Sequence, residues 1–443
     1  MILKNTVGTL VVYSGGVVII STLFYIFFRV LSVNVVDYRF VVGPINRLFS
    51  NNVSGLIKFN ISSENSSSVN YENFWNQYKH YRESSARHLW PSKDEQYDRI
   101  LHQLNTVPVI NTSLPMKLIY LDWGFLYGTS AGQKFFLDEK CPVSWCSFTD
   151  DKKMKRKANL VVYRNSLDKY AGCGDDSGKS CSLRKQIHML ITQESPFHTP
   201  YYKSAINWTA TYRSDSTIVM PYGKFVFFKN FSKLPDKTYK NFALGKEKKV
   251  AWFVTNCRPK NGRYEYAEEL AKYIDVDIYG GCGKKTCGDQ YDKRCYDLLL
   301  NDYKFYLSFE NSNCKEYITE KFFRNALSYD VLPIVMGARP EDYEKVAPPN
   351  SYIHVDDFVS PKQLASYLHK LDRDDYLYNS YFRWKGTGEF VDTKFWCRVC
   401  TMLHEQDATG VQMWYDNLDL WWRAPGTCIK TRYFPTNFSK KAL

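Results

Sequence analysis

The sequence predicts an α/β protein built on parallel sheets and held to a membrane by one N-terminal helix. Three observations carry this reading. From residue 250 onward, short apolar strands (250–255, 276–279, 303–309, 331–336, 352–355) alternate with helical stretches (263–273 and one opening near Thr319). That alternation yields a parallel sheet with helices on both faces. The run 7–28 is uncharged over 22 positions, and as a helix it reaches roughly 33 Å, enough for a bilayer core. Finally, 443 residues with 44% hydrophobic content can fill more than one core.

Taken in order, 1–6 reads as a cytoplasmic tail and 7–28 as a signal-anchor. A cleaved signal peptide fits poorly, because its apolar stretch would be shorter and would end in a small-residue cleavage site. Lys4 is offset by Arg29 and Arg39, so the flanking charge alone does not set the orientation. Residues 29–115 read as a stem: 51–70 is rich in Ser and Asn with few large apolar residues, and 71–104 is more aromatic and partly helical. The first domain, 116–245, carries strands over 117–123, 160–163, 187–192 and 209–212. A charged linker at 245–249 leads into a second domain, 246–400. The helical stretch 361–381 precedes an aromatic tail, 401–443, expected to pack on the domains and containing Trp414, Trp421 and Trp422.

Glycosylation acceptor triplets occur at Asn52, Asn60, Asn65, Asn111, Asn207, Asn230 and Asn437. Together with twelve cysteines they place the folded part in an oxidising compartment. Cys141/Cys146, Cys173/Cys181, Cys282/Cys287 and Cys397/Cys400 are spaced to close small local loops, but spacing does not fix connectivity. Cys397 and Cys400 have zinc spacing without a second half-site, so they read as disulfide-bonded. The net charge of +13 suits an anionic partner. The densest cluster, KKMKRK at 152–157, reads as a solvated loop and not as a nucleic-acid patch.

The richest stretch is 303–337. A strand runs into a loop holding Glu310, Asn311, Asn313, Lys315, Glu316 and Tyr317, and then into a helix opening on Thr319, Glu320 and Lys321. Phe322, Phe323, Ala326 and Leu327 fall on one helical face. A lysine in the first turn opposes the helix dipole, and an anionic ligand accounts for it. Ligands of α/β sheets sit at the carboxyl ends of strands, where this lysine lies.

The run FENSNCKEYITEKFFRNAL at 309–327 resembles the donor-binding signature of the α1,3-fucosyltransferases, glycosyltransferase family 10. QESPFHTP at 193–200 and YRSDSTIVMPYG at 212–223 resemble further family segments, and the resemblance spans roughly 117–400. It implies a GT-B fold of two Rossmann-like domains facing a cleft. It also implies GDP-fucose as donor, inverting transfer to O3 of an N-acetylglucosamine in a glycoprotein glycan, and a Golgi membrane location. Whether the acceptor is the N-glycan core or a distal lactosamine stays open.

Inverting transfer needs a base, a diphosphate clamp and sugar and nucleoside contacts. Glu194 ends an apolar strand just before Pro196, where partial burial would raise its pKa, and by resemblance it is the general base. Lys321 and Arg263 are the expected clamp, Arg263 because it opens a helix after Asn261-Gly262. Arg258 lies in the same loop. By resemblance Glu320 takes the ribose hydroxyls, and Asn311 and Tyr317 contact the donor. Glu310 is placed to orient its loop, and Arg213 to pair with Asp215. No metal or further cofactor is expected: Asp275-Val276-Asp277 reads as the start of a strand. GGCGK at 280–284 fits neither a P-loop nor a dinucleotide fingerprint. Two other classes remain, a glycosidase pairing Glu194 with Glu310 and an inactive anchored lectin.

Overall fold

The structure, a computed structural model, describes residues 89–91, 99–126, 128–167, 186–202, 204–228, 240–259, 261–288 and 292–429. The expected anchor at 7–28, most of the stem, and Asn52, Asn60, Asn65, Asn230, Asn437, Cys173 and Cys181 lie outside them. Among the described residues no helix is long and apolar enough to cross a membrane.

The first domain is a six-stranded parallel sheet in the order β2-β1-β3-β4-β5-β6. Its strands are β1 (Lys117–Leu121), β2 (Cys146–Thr149), β3 (Leu160–Arg164), β4 (Ile187–Ile191), β5 (Trp208–Thr211) and β6 (Ile218–Val219). Both faces are buried, which is why these strands read as near-continuous apolar runs. Leu160 and Val162 of β3 enter one core with Ile119, Met189 and Trp208. Val161 and Tyr163 enter the other with Tyr120 and Leu190. β7 (Phe225–Phe227) then leaves this sheet and pairs with β14 (Gly388–Phe390).

The second domain is a five-stranded parallel sheet ordered β13-β12-β10-β8-β9. It comprises β8 (Lys248–Phe253), β9 (Val276–Tyr279), β10 (Tyr303–Phe309), β12 (Leu332–Met336) and β13 (Ile353–His354). β10 is central and buried throughout. Phe305, Leu307 and Phe309 point into one core, Tyr303 and Tyr306 into the other.

Two features sit away from the expected boundaries. The helix Arg99–Asn105, in the expected stem, belongs to the first domain: Gln103 donates to the Leu89 and Thr217 carbonyls (2.9 and 3.1 Å), and buried Arg99 donates to the Ser216 carbonyl (2.8 Å). The helix Phe395–Thr409, which straddles residue 400, returns to the first domain, burying Val399, Met402 and Leu403 in its core.

The cysteine pairing corrects the local loops considered above. Cys141 bonds Cys397 and Cys146 bonds Cys400, so both cysteines of the helix Phe395–Thr409 staple it to the first domain, 256 and 254 residues back. Cys257–Cys282 joins the loops after β8 and β9, and Cys287–Cys295 ties the following loop to the helix Lys293–Asn301. Cys314–Cys428 ties β11 (Asn313–Cys314) to β15 (Cys428–Ile429), with which it pairs antiparallel. Partners more than 250 residues apart leave no trace in local spacing.

Asn207 also needs correction as a glycan carrier. It is buried, and its Oδ1 accepts the His188 amide (2.9 Å), a structural position. Asn111 is exposed.

Candidate active site

The site lies where the carboxyl ends of β4, β8 and β10 meet. β4 ends at Ile191, and Glu194 follows on its rim before Pro196 turns the chain. Glu194 is exposed, so the partial burial expected for it is absent. It is nevertheless held: the Tyr317 hydroxyl donates to its Oε2 at 3.1 Å. Tyr317 is buried against Tyr212, with ring centroids 5.0 Å apart. Burial, reinforced by the nearby Glu310 and Glu194 carboxylates, holds its hydroxyl well above the usual range. The phenol therefore stays protonated and acts as a donor.

Two further bonds join the domains here. The Ser195 and Ser312 hydroxyls share a buried hydrogen bond of 2.7 Å, and the Ser214 hydroxyl donates to Glu316 at 2.8 Å. Asn311, next to Ser312, accepts that serine's hydroxyl at 3.1 Å and is partly exposed.

Behind this contact sits a polar knot centred on fully buried Glu310, the residue after β10. Its carboxylate accepts the Thr319 amide (2.8 Å) and hydroxyl (2.9 Å), and pairs with Lys321 at 3.0 Å. Lys321 also touches Glu320 at 3.1 Å and remains 20% exposed. Burial works against the Lys321 charge, but the Glu310 and Glu320 carboxylates outweigh it and hold its pKa above the ordinary lysine value. Glu320 is likewise opposed by burial, and Lys321 brings its pKa below the usual carboxylate value. Gly337, just past β12, has φ +143°, and a Cβ there would meet Glu310 Cβ at 2.5 Å, so the knot requires glycine.

The helix expected from Thr319 is present with altered geometry: residues Lys321–Ala326 form a π-helix. Such wide turns concentrate at functional sites. Phe322, Phe323 and Ala326 are buried as the periodicity required.

Arg263 opens the helix Arg263–Leu270 after Gly262, whose φ of 75° is left-handed. Only 3% exposed, its guanidinium donates to the Phe309 carbonyl (2.9 Å) and the Asn256 carbonyl (2.7 Å), bridging the ends of β10 and β8. Its partners are carbonyls and not a carboxylate, and its Nε has no partner among the described residues. Burial lowers its pKa, and the Glu310 carboxylate nearby offsets part of that cost without contacting it. Arg258 is exposed in the same loop.

Residues that sequence reasoning passed over complete the frame. Asn261 donates to the Glu310 carbonyl (2.8 Å) and to Asn313 Oδ1 (3.2 Å), locking the loops after β8 and β10 together. The Asn-Gly step at 261–262 signals a turn but not this bond. Thr319, noted only as a helix opener, is the main ligand of Glu310. Arg213 pairs with Asp215 (2.9 Å) and donates to the Trp421 carbonyl (3.0 Å), a structural role.

Parts of the remaining sequence motifs have structural contacts. Asp277 lies on β9 and pairs with Lys285 at 2.6 Å. Gly280 sits where a Cβ would meet the Val254 carbonyl oxygen at 2.7 Å, a packing requirement. Cys146, Cys400 and His404 cluster within 4.8 Å, but the two sulfurs are already joined as a disulfide.

An exposed carboxylate on one sheet's rim, touching a loop whose helix starts with a caged lysine, has the parts of a group-transfer site for an anionic donor. Comparison with known proteins narrows that class. Residues 116–223 match the family described as fucosyltransferase, N-terminal, and residues 243–421 match glycosyltransferase family 10 (fucosyltransferase), C-terminal. The glycoprotein 3-alpha-L-fucosyltransferase A of Drosophila melanogaster is 50% identical over 354 residues, covering 78% of this chain and 69% of that protein. The human 4-galactosyl-N-acetylglucosaminide 3-alpha-L-fucosyltransferase FUT6 is 36% identical over 279 residues, 61% of this chain and 75% of that protein. A crystal structure of an alpha1,3-fucosyltransferase with GDP-fucose aligns at a TM-score of 0.43 and 16% identity, over 72% of this chain and 98% of that one. The chain belongs to glycosyltransferase family 10, the fucosyltransferases.

Proposed function

We infer that this protein is a Golgi α1,3-fucosyltransferase that moves fucose from GDP-fucose to O3 of an N-acetylglucosamine in glycoprotein glycans, with inversion. Family membership supports the donor and the linkage. The relative at 50% identity is named for a glycoprotein acceptor, whereas the one at 36% is named for 4-galactosyl-N-acetylglucosaminide, which favours a glycoprotein substrate. The observation that carries the mechanism is the Tyr317–Glu194 hydrogen bond, because it joins the acceptor-side carboxylate to the donor signature. The two parallel sheets are consistent with a GT-B arrangement.

In this reading Glu194 takes the proton from the acceptor hydroxyl as that oxygen attacks the anomeric carbon of fucose. The bond to GDP breaks on the opposite face. Arg263 and Lys321 balance the charge that gathers on the diphosphate, one from beneath the strand ends and one from the helix start. Glu320 receives the ribose hydroxyls, and Asn311 and Tyr317 line the donor pocket. No metal is required. Five disulfides among the described residues suit an oxidising lumen. That agrees with a type II protein anchored through 7–28 and glycosylated at Asn52, Asn60, Asn65, Asn111, Asn230 and Asn437.

The test is incubation of the detergent-solubilised full chain with GDP-fucose and defined N-glycans, with and without chelator, followed by linkage analysis. Fucose on O3 of N-acetylglucosamine, unaffected by chelator, is expected. Release of free fucose from fucosylated glycans without transfer would indicate the glycosidase. Glycan binding without GDP binding would indicate the lectin.

A further inference from the structure

The segment that follows Glu194 is unusual in what it leaves in solvent. Pro196–His198 forms a single 3₁₀ turn with Pro196 buried beneath it. Phe197 is 42% exposed, Tyr201 is 74% exposed, and His198 between them is exposed. Singly exposed apolar residues need no explanation. Here, however, two large rings fall within five residues, on a segment tied down by side-chain bonds from both sides.

Most of those bonds come from the C-terminal part of the chain. Arg423, just past the helix Leu418–Trp422, points one Nη2 at the carbonyls of Pro196 (2.8 Å), Thr199 (2.7 Å) and Pro200 (3.0 Å), which share its two hydrogens. Its guanidinium lies 4.4 Å from the centroid of the Tyr201 ring, covering one face. Trp422 Nε1 donates to the Thr199 hydroxyl (2.9 Å), and Asp419 accepts the Tyr202 amide (3.1 Å). On its other side the turn is fixed by the Ser195–Ser312 bond. The rings are thus mounted on a rigid ledge, which lowers the entropy lost when they order a ligand. Phe197 is three residues from Glu194, at most about 11 Å along the chain.

We propose that Phe197 and Tyr201 form the acceptor-sugar platform, on which the apolar C–H face of an N-acetylglucosamine-containing glycan stacks beside Glu194. The proposal rests on the fucosyl-transfer reading and adds to it the residues that recognise the acceptor. Aromatic rings supply large contact area at little entropic cost and pair with the weakly polar faces of pyranose rings. The exposed imidazole of His198, at the crest of the turn, is available to the sugar hydroxyls.

The experiment is steady-state transfer by the full chain from GDP-fucose to a released N-glycan bearing the chitobiose core. Phe197→Ala, Tyr201→Ala and the double variant are compared with wild type. The acceptor KM of the double variant is expected to rise about tenfold or more, while GDP affinity by calorimetry stays within twofold. Phe197→Tyr is expected to restore acceptor KM. An acceptor KM within twofold of wild type in the double variant would overturn the proposal. So would a loss seen with intact glycoprotein but absent with the released glycan, because the ledge would then be reading the protein part. If wild type transfers neither to the chitobiose core nor to a lactosamine-bearing glycan run beside it, the fucosyltransferase reading is what has failed. Saturation-transfer NMR of the glycan on wild type and Tyr201→Ala still judges the ledge in that case: weakened saturation supports it, and unchanged saturation refutes it.

Discussion

Replacing Glu310 by glutamine tests the polar knot behind the site most severely. The substitution keeps volume and shape, so cavity terms are small. It also keeps one oxygen for the Thr319 amide, now at 2.8 Å. What it loses is the charge opposite Lys321 at 3.0 Å, and the new amide presents hydrogens to a cation. Removing one member of a buried pair costs about 3–5 kcal/mol. Lys321 is 20% exposed and keeps Glu320 at 3.1 Å, so the cost falls below that range, to about 2–3 kcal/mol. At roughly 2–4 °C per kcal/mol for a domain of this size, Tm should fall by about 5–10 °C. GDP affinity should fall as well, because the same carboxylate positions the first turn of the helix. The assay is thermal unfolding with and without GDP, in wild type, Glu310→Gln, Lys321→Met and the double variant. The two losses should be strongly non-additive, since each single change strands the other group. A shift below 2 °C, or simple additivity, would refute the reasoning.

Three further outcomes follow from the same geometry. Tyr317→Phe removes the one donor that the Tyr317 hydroxyl offers Glu194 and should lower kcat about tenfold, more than it weakens GDP binding; equal losses in both would make Tyr317 a donor contact alone. Lys321 has a raised pKa in the folded protein, so its charge persists throughout the range below the ordinary lysine value of 10.5 and disappears only above it. Calorimetric GDP affinity should accordingly show no lysine inflection between about pH 6 and 9, and an inflection abolished by Lys321→Arg would contradict this. The double substitution Cys314→Ser, Cys428→Ser opens a link of 114 residues and should cost about 2–4 kcal/mol of stability by urea unfolding, with weaker GDP binding; unchanged values would show that β11 and β15 hold without the bond.

The strands were legible because both faces of both sheets are buried, which turns each one into an apolar run that composition alone exposes. β10 is the clearest case, buried at every position; β9 is the exception, only partly buried, and Asp275-Val276-Asp277 reads as a strand start from its alternation instead. The hydrophobic periodicity of 319–327 located a buried helical face, but apolar spacing over two turns does not separate an α-helix from the π-helix at Lys321–Ala326. What stayed hidden is long-range. Cys141 with Cys397 and Arg423 under the 196–200 turn are brought together by the chain returning to the first domain after residue 394, and Tyr317 with Glu194 by the loop after β10 meeting the rim of β4. The helix before β1 leaves little trace in sequence, because Arg99 and Gln103 look there like solvated helix residues. Only the carbonyls of Ser216 and Thr217 explain their burial.

The central claim is that one exposed carboxylate, held by the donor loop, takes the acceptor's proton. The most direct measurement compares wild type with Glu194→Gln for GDP affinity by calorimetry and for fucosyl transfer under saturating donor. The account predicts GDP affinity within about twofold and a loss of turnover of at least about a hundredfold. Substantial transfer by the glutamine variant at unchanged GDP affinity would contradict it.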